Sequence, residues 1–264
     1  MRRPGFSHGR RSGFRGLGGG APWSPAVVPA SSQGFWYREL VTLNGPDVET
    51  WTDKFASGHG NATTPGGNPL WNNPDTNYTH QRSLGFDEAN AEYLVVPGTA
   101  ASQRWVHDGA GAGMCLGFTF RASKDADPTM NLCGSSDETV AGISVKHDTS
   151  ANRVVLRIHN GTALIVDATT ANGSAPFNTT HSIVVAFRNH ATLDDWEIWF
   201  DGLLAASGTA SGAPATGDAG STLRIGARGN IISWYYVGSI GEAVGIKDFS
   251  IAGQLAGHLK RGHS

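Results

Sequence analysis

HSIVVAFRNH (residues 181–190), DDWEIWFDGLLAASG (194–208), TLRIGARG (222–229) and YVGSIGEAVGIKDF (236–249) are the blocks that decide the fold. In the first, Ile183, Val185 and Phe187 alternate with Val184, Ala186 and Arg188, the period of two of a strand with at least one buried face. In the second, Trp196, Ile198 and Phe200 alternate with Glu197, Trp199 and Asp201. Asp201-Gly202 then separates two apolar runs, and a two-residue hairpin turn needs just such residues, tolerant of positive φ. Leu223 and Ile225 share one side of a short strand ended by Gly226. Val237, Ile240 and Val244 to Ile246 form a longer one interrupted by Gly238 and Gly241. No helical period competes, so the reading is an antiparallel meander.

The pattern extends upstream. Phe35 to Leu43 (FWYRELVTL) is the first strand; Met114 to Ala122 (MCLGFTFRA) alternates well. Thr129 to Cys133, Thr139 to His147, Asn152 to His159 and Thr162 to Ala168 follow as short strands, the last two joined by a turn at His159-Asn160-Gly161. Ser250 is the expected N-cap of a short C-terminal helix carrying Ile251, Leu255 and Leu259 on one stripe. Thirty-six glycines fit many tight turns, and a chain of 264 residues buries enough surface to need neither disulfide nor metal for its core. Cys115 and Cys133 are expected as free thiols.

These blocks, in this order, resemble the C-terminal half of the concanavalin A-like lectin/glucanase superfamily, in particular its laminin-G-like modules. The matches are His181 to Phe187, Trp196 to Leu204, Leu223 to Gly226 and Gly238 to Ile246, with Lys247 in place of a final tyrosine. Trp51, Asp53, Ser57, Gly58 and Gly60, then Leu84, Phe86, Asp87, Tyr93 and Leu94, resemble the opening of such modules in phage and bacterial surface proteins. The resemblance spans about residues 48–260. It implies an all-β, two-sheet antiparallel jelly-roll sandwich (concanavalin A-like) with an extended N-terminal arm and a short C-terminal helix.

Charge is distributed unevenly. The chain carries −2 overall, yet residues 1–20 hold five of the 20 basic residues and no acid, so the remainder sets 15 against 22 acidic residues. We read 1–34 as a basic Gly/Arg-rich docking arm and 35–264 as the sandwich domain. Arg2, Arg3, Phe6, Arg10, Arg11, Phe14, Arg15 and Trp23 are its candidate anchors, because peptide arms gain affinity from a few buried aromatic and arginine side chains. Basic and aromatic residues also interleave in single-stranded nucleic-acid binders, but no second basic patch supports that partner. No run of 18 apolar residues offers a membrane span, and no apolar segment follows the N-terminal arginines as in a secretory signal.

Candidate chemistry is sparse. A retaining glycosidase needs two carboxylates about 5–5.5 Å apart, which family enzymes supply as Glu-x-Asp-x-x-Glu. That pattern is absent; Asp194, Asp195, Glu197 and Asp201 lead into a turn, so no enzymatic activity is expected. Neither an EF-hand loop nor a zinc spacing occurs. The pairs Asp87/Glu88, Asp125/Asp127 and Asp137/Glu138 leave room for at most one structural calcium, and no other cofactor is expected. Among eight tryptophans, Trp71 with Tyr78 and Trp234 with Tyr235 are the candidate carbohydrate-binding residues, while Trp51 and Trp196 read as core. From the arm, the absent catalytic pattern and the resemblance, the expected function is a structural virion protein. It would be a capsid decoration or head-fibre subunit of a tailed phage, on the virion surface, with the major capsid protein or another virion subunit as partner and self-association as a further option. The alternative is an adhesin or tail-fibre module that binds a host-surface glycan.

Overall fold

The computed structural model describes residues 22–65, 67–123, 129–189, 195–229 and 234–262. Sixteen strands are described, and they divide into two layers that enclose the main core. One layer runs β14 (Leu203–Thr209), β13 (Asp195–Phe200), β12 (Thr180–Arg188), β7 (Met114–Ala122) and β16 (Gly238–Ile246). The far side of β16 is shared. Its Glu242–Ile246 portion pairs with β1 (Gln33–Asn44), and its Gly238–Ile240 portion with β5 (Ser83–Phe86), which continues into β4 (Leu70–Asn72). The other layer runs β11 (Leu164–Thr169), β10 (Arg153–His159), β9 (Gly142–Asp148), β8 (Thr129–Gly134), β15 (Arg224–Ile225), β6 (Leu94–Val95), β3 (Ala62–Thr63) and β2 (Asp47–Asp53). β1 bends from one layer into the other, pairing with β16 at its start and with β2 at its end.

The period-2 reading of β12 resolves into two distinct environments. Ile183, Val185 and Phe187 enter the main core beside Phe118, Phe120, Leu156 and Ile158. Val184 and Ala186 face the other way, into a second cluster with Leu255, Ala256 and Leu259 of the helix α2 (Ala252–Lys260). Burying each leucine contributes about 1.5–3 kcal/mol, so α2 is held by its stripe. Because the helix covers this layer, β7, β12 and β16 are buried on both faces, whereas the outer face of β8–β11 carries charged side chains. A shorter helix, α1 (Trp105–Asp108), contacts β7 of one layer and β9 of the other.

Several expectations hold at the level of single turns. Asp201 and Gly202 have φ of 47° and 79°, the positive values the hairpin between β13 and β14 requires. The Trp51 to Gly60 motif proves structural: the Asp53 carboxylate accepts the amides of Trp36 (3.0 Å), Phe55 (2.9 Å) and Gly60 (3.1 Å) and closes the loop. Gly58 must be glycine there, since a Cβ would meet Asp53 Oδ2 at 2.1 Å. Both cysteines are free and buried; Cys115 lies under α2 and Cys133 in the main core.

Other expectations need correction. Asp248, not Ser250, caps the C-terminal turn: its carboxylate accepts the Ser250 amide (2.9 Å) and hydroxyl (2.7 Å). The segment from Trp23 to Ser32, assigned to the arm, lies against the sandwich, with Val28 buried and Trp23 partly buried in the second cluster. Trp23 meets the His258 ring edge-on at 6.1 Å, and its carbonyl accepts Arg261 Nη2 at 2.9 Å. It therefore anchors the segment to the chain's own helix. Arg2, Arg3, Phe6, Arg10, Arg11, Phe14 and Arg15 lie outside the described residues.

Candidate functional site: a polar groove walled by Trp234

Strand alternation builds the site. On β10, Arg153, Val155 and Arg157 share the outer face, since residues two apart point the same way. Lys146 and Asp148 on β9 and Asp167 on β11 complete the floor of a groove of about 450 Å³, and Trp234 forms its wall. The charged residues are woven together. Glu138 accepts Lys146 Nζ at 2.6 Å and Arg157 Nη1 at 2.5 Å; Asp167 accepts Arg157 Nε at 2.9 Å; Asp148 accepts Arg153 Nε at 3.0 Å. Burial by itself raises the Glu138 carboxyl, but Lys146 and Arg157 outweigh it and hold the group below its ordinary value. Asp148 is likewise held low: burial opposes ionisation, while Ser150 and Arg153 favour it. At neutral pH the groove is a preorganised lattice of fixed charges.

Trp234 is set into this lattice under strain. Its φ is +56°, a backbone conformation that costs a bulky residue about 1–3 kcal/mol. Its carbonyl is pinned by the backbone amide (3.1 Å) and side-chain amide (3.0 Å) of Asn131 on β8. Arg228 lies over its ring at 4.2 Å and Lys146 Nζ at 5.7 Å from the centroid. The ring remains partly exposed. A partly exposed aromatic fixed beside donors and acceptors can stack against one face of a ring-shaped ligand while side chains bond its edge.

The remaining sequence candidates are dispersed. Tyr78 is 1% exposed; its hydroxyl bonds Ser239, and its ring stacks on His80, so it offers no surface to a sugar. Tyr235 is also buried, in a small cluster with Tyr93. Trp71 is partly buried against the main core and takes no part in the Trp234 groove. Aromatic content alone could not separate these, because burial depends on chain segments distant in sequence. Lys146, Arg153 and Arg157 were legible only as charges on a strand face.

A larger cleft of about 650 Å³ opens beside β4 and β5, lined by Asn72, Asp75, Asn77, Glu92 and Arg121 among others. Size does not decide in its favour. Its aromatic lining residue, Phe86, is 4% exposed, and its acids are committed: Asp75 to Ser83 Oγ (2.5 Å) and Asn77, Glu92 to the Asp87 amide (2.6 Å). The acid pairs considered for calcium have structural partners too. Asp87 caps a turn by accepting the Ala89 amide, Asp137 accepts Thr139, and Glu138 bridges Lys146 and Arg157. Asp125 and Asp127 lie outside the described residues. Among the described residues no group of three His, Cys, Asp or Glu side chains is arranged to hold a metal ion. Of the acids leading into the turn, Asp194 lies outside the described residues, while Asp195 pairs with Arg188, Glu197 accepts Trp199 Nε1 (2.7 Å), and Asp201 accepts His181 and the Ser182 amide. No helix among the described residues is long and apolar enough to cross a membrane.

No family model matches this chain, and no curated protein does. Solved structures do. Domain 4 of AbnA, an extracellular GH43 arabinanase of Geobacillus stearothermophilus solved with arabinotriose, superposes with a TM-score of 0.57 at 13% identity over 85% of this chain and 98% of that one. The binding domain of botulinum neurotoxin serotype D gives 0.54 at 10% identity, over 83% of this chain and 49% of that one. A structure of botulinum neurotoxin type C, whose cell entry is described as dependent upon interaction with two ganglioside molecules, gives 0.57 at 10% identity over 88% of this chain and 51% of that one. The chain spans about half the length of the two toxin structures. At these identities the likeness establishes the fold: the chain is a lectin-like β-sandwich. Most of the structural neighbours are carbohydrate-binding or toxin binding domains.

Proposed function

We propose that this chain is a non-enzymatic glycan-binding module and that the Trp234 groove is its binding surface. The observation that carries the reading is Trp234 itself: a strained, partly exposed ring pinned by Asn131 above a charged, solvent-facing strand floor. Strain of this kind needs the surrounding structure to maintain it and concentrates at functional sites. Fold-level support comes from the arabinotriose-bound domain and the toxin binding domains named above, which is analogy rather than site identity. A glycan array followed by calorimetry tests it. Trp234→Ala is expected to weaken the best ligand by at least about tenfold through lost ring contact. Retained affinity in a folded variant would move the site elsewhere.

The virion role is a separate proposal resting on the composition of residues 1–21. In it the arm docks the module on the major capsid protein or another virion subunit, and a host-surface glycan is what the displayed sandwich binds. Changing Arg2, Arg3, Arg10, Arg11 and Arg15 together to Ser should abolish sedimentation with particles; unchanged occupancy would refute it.

A further inference from the structure

The hydrogen-bond inventory of the groove points to a ligand class. Arg153 commits Nε to Asp148 and Nη1 to Asn172 (3.1 Å); Arg157 commits Nε to Asp167 and Nη1 to Glu138. The Nη2 group of each makes no hydrogen bond to a described residue, and Lys146 uses one of three donors, on Glu138. The acceptors are closer to saturation. Both Glu138 oxygens are engaged, and Asp148 accepts Ser150 and Ala151 on one oxygen and Arg153 on the other. Asp167, half-exposed, keeps one oxygen free of the described residues. Charge runs the same way. Lys146, Arg153 and Arg157, together with Arg228 over the Trp234 ring, are set against Glu138, Asp148 and Asp167, an excess of one positive charge on a chain of net −2. Among the described residues Arg228 forms no ion pair and its buried Nε has no hydrogen-bond partner.

A neutral sugar presents hydroxyls that donate as readily as they accept, and it would leave this surplus of donors unmatched. An anionic group accepts only, and a carboxylate or sulfate takes charge-assisted hydrogen bonds from guanidinium and ammonium donors. From this surplus we infer that the groove takes an acidic glycan. The anionic substituent lies against the Nη2 groups of Arg153 and Arg157 near Lys146, and the sugar ring lies against Trp234. This rests on the glycan-binding reading above and narrows it to a substrate class.

The test uses the full chain against matched pairs immobilised on one array: sialyllactose with lactose, oligogalacturonate with its methyl ester, and a sulfated chondroitin oligosaccharide with its desulfated form. The acidic member of at least one pair should bind about tenfold to a hundredfold more tightly, and the preference should shrink as sodium chloride is raised. Preference confined to the carboxylate pairs, or to the sulfate pair, identifies which anion the arginines read. Arg153→Gln should narrow the acidic preference. Arg157→Gln should do the same, and Arg157→Lys should restore it only partly, since a single ammonium does not reproduce the separate Nε, Nη1 and Nη2 donors. If Arg157→Gln fails to fold, the wild-type pairs still decide. Equal binding of both members overturns the acidic assignment but leaves a glycan-binding module standing. Retention of no glycan at all overturns both.

Discussion

Glu242 offers the sharpest test of how the helix-covered layer is held. Its side chain is fully buried on β16 and accepts Trp36 Nε1 at 2.6 Å from β1 and His258 Nε2 at 2.9 Å from α2, with Arg38 Nη1 at 3.9 Å. Three elements thus meet on one carboxylate. In Glu242→Ala both donors lose a charged acceptor, each bond being worth about 1.5–3 kcal/mol, and breaking a buried charged pair from one side costs about 3–5 kcal/mol. At about 2–4 °C per kcal/mol for a domain near this size, the melting midpoint should fall by roughly 6–20 °C. Near-UV circular dichroism reads this directly, because Trp36 sits at the site. Glu242→Gln keeps the shape and one acceptor and should lose less. The pH dependence supplies a second readout. Burial opposes ionisation of Glu242, but its bond to His258 prevails and holds the carboxyl below the ordinary 4.5. A depressed carboxyl stabilises the fold fully above pH 4.5 and loses that contribution as pH falls through the lower folded value. His80, which faces the same cluster, acts in a different window. Burial, with Arg38, brings it down to about 4, so the unfolded chain takes up its proton first and stability declines from pH 6.5 toward 4. The gap between wild type and Glu242→Gln should therefore close as pH falls below 4.5. A midpoint shift under about 3 °C in Glu242→Ala, or a gap that does not narrow in acid, would refute the reasoning.

Three further outcomes follow from the packing. Leu255→Ala removes a fully buried side chain from beneath α2 and should cost about 2–5 kcal/mol by urea unfolding, with little effect on glycan affinity, since the groove is on the opposite layer. Gly202→Val forces a β-branched residue to φ 79° and pushes its Cβ to 2.7 Å from Lys260 Cδ; it should lower the melting midpoint by several degrees, whereas Gly202→Asn, tolerant of positive φ, should cost much less. Burial drives the thiols of Cys115 and Cys133 well above their ordinary range, so a thiol reagent should label neither in native protein and both in urea; rapid native labelling would contradict their placement.

What the amino-acid sequence determined by itself was local and periodic. Alternation in 181–188 and 195–200 places the strands, because side chains on a strand point to opposite faces whatever surrounds them. Asp201-Gly202 marks the hairpin, because its backbone conformation excludes most other residues. The charge asymmetry of the arm and the lack of a paired-carboxylate pattern are equally local. Tertiary structure decided everything that depends on which face meets which partner. Val184 and Ala186 look like an outer face until α2 lands on them. Tyr78 and Tyr235 look as exposed as Trp234 until β16 and the Tyr93 cluster bury them. The groove itself joins Lys146, Arg157, Asp167 and Trp234 from separate strands and a distant loop, and no spacing in the chain announces it. Burial and ion pairing are properties of a surface assembled from remote segments, so they become readable only when the sheets have packed.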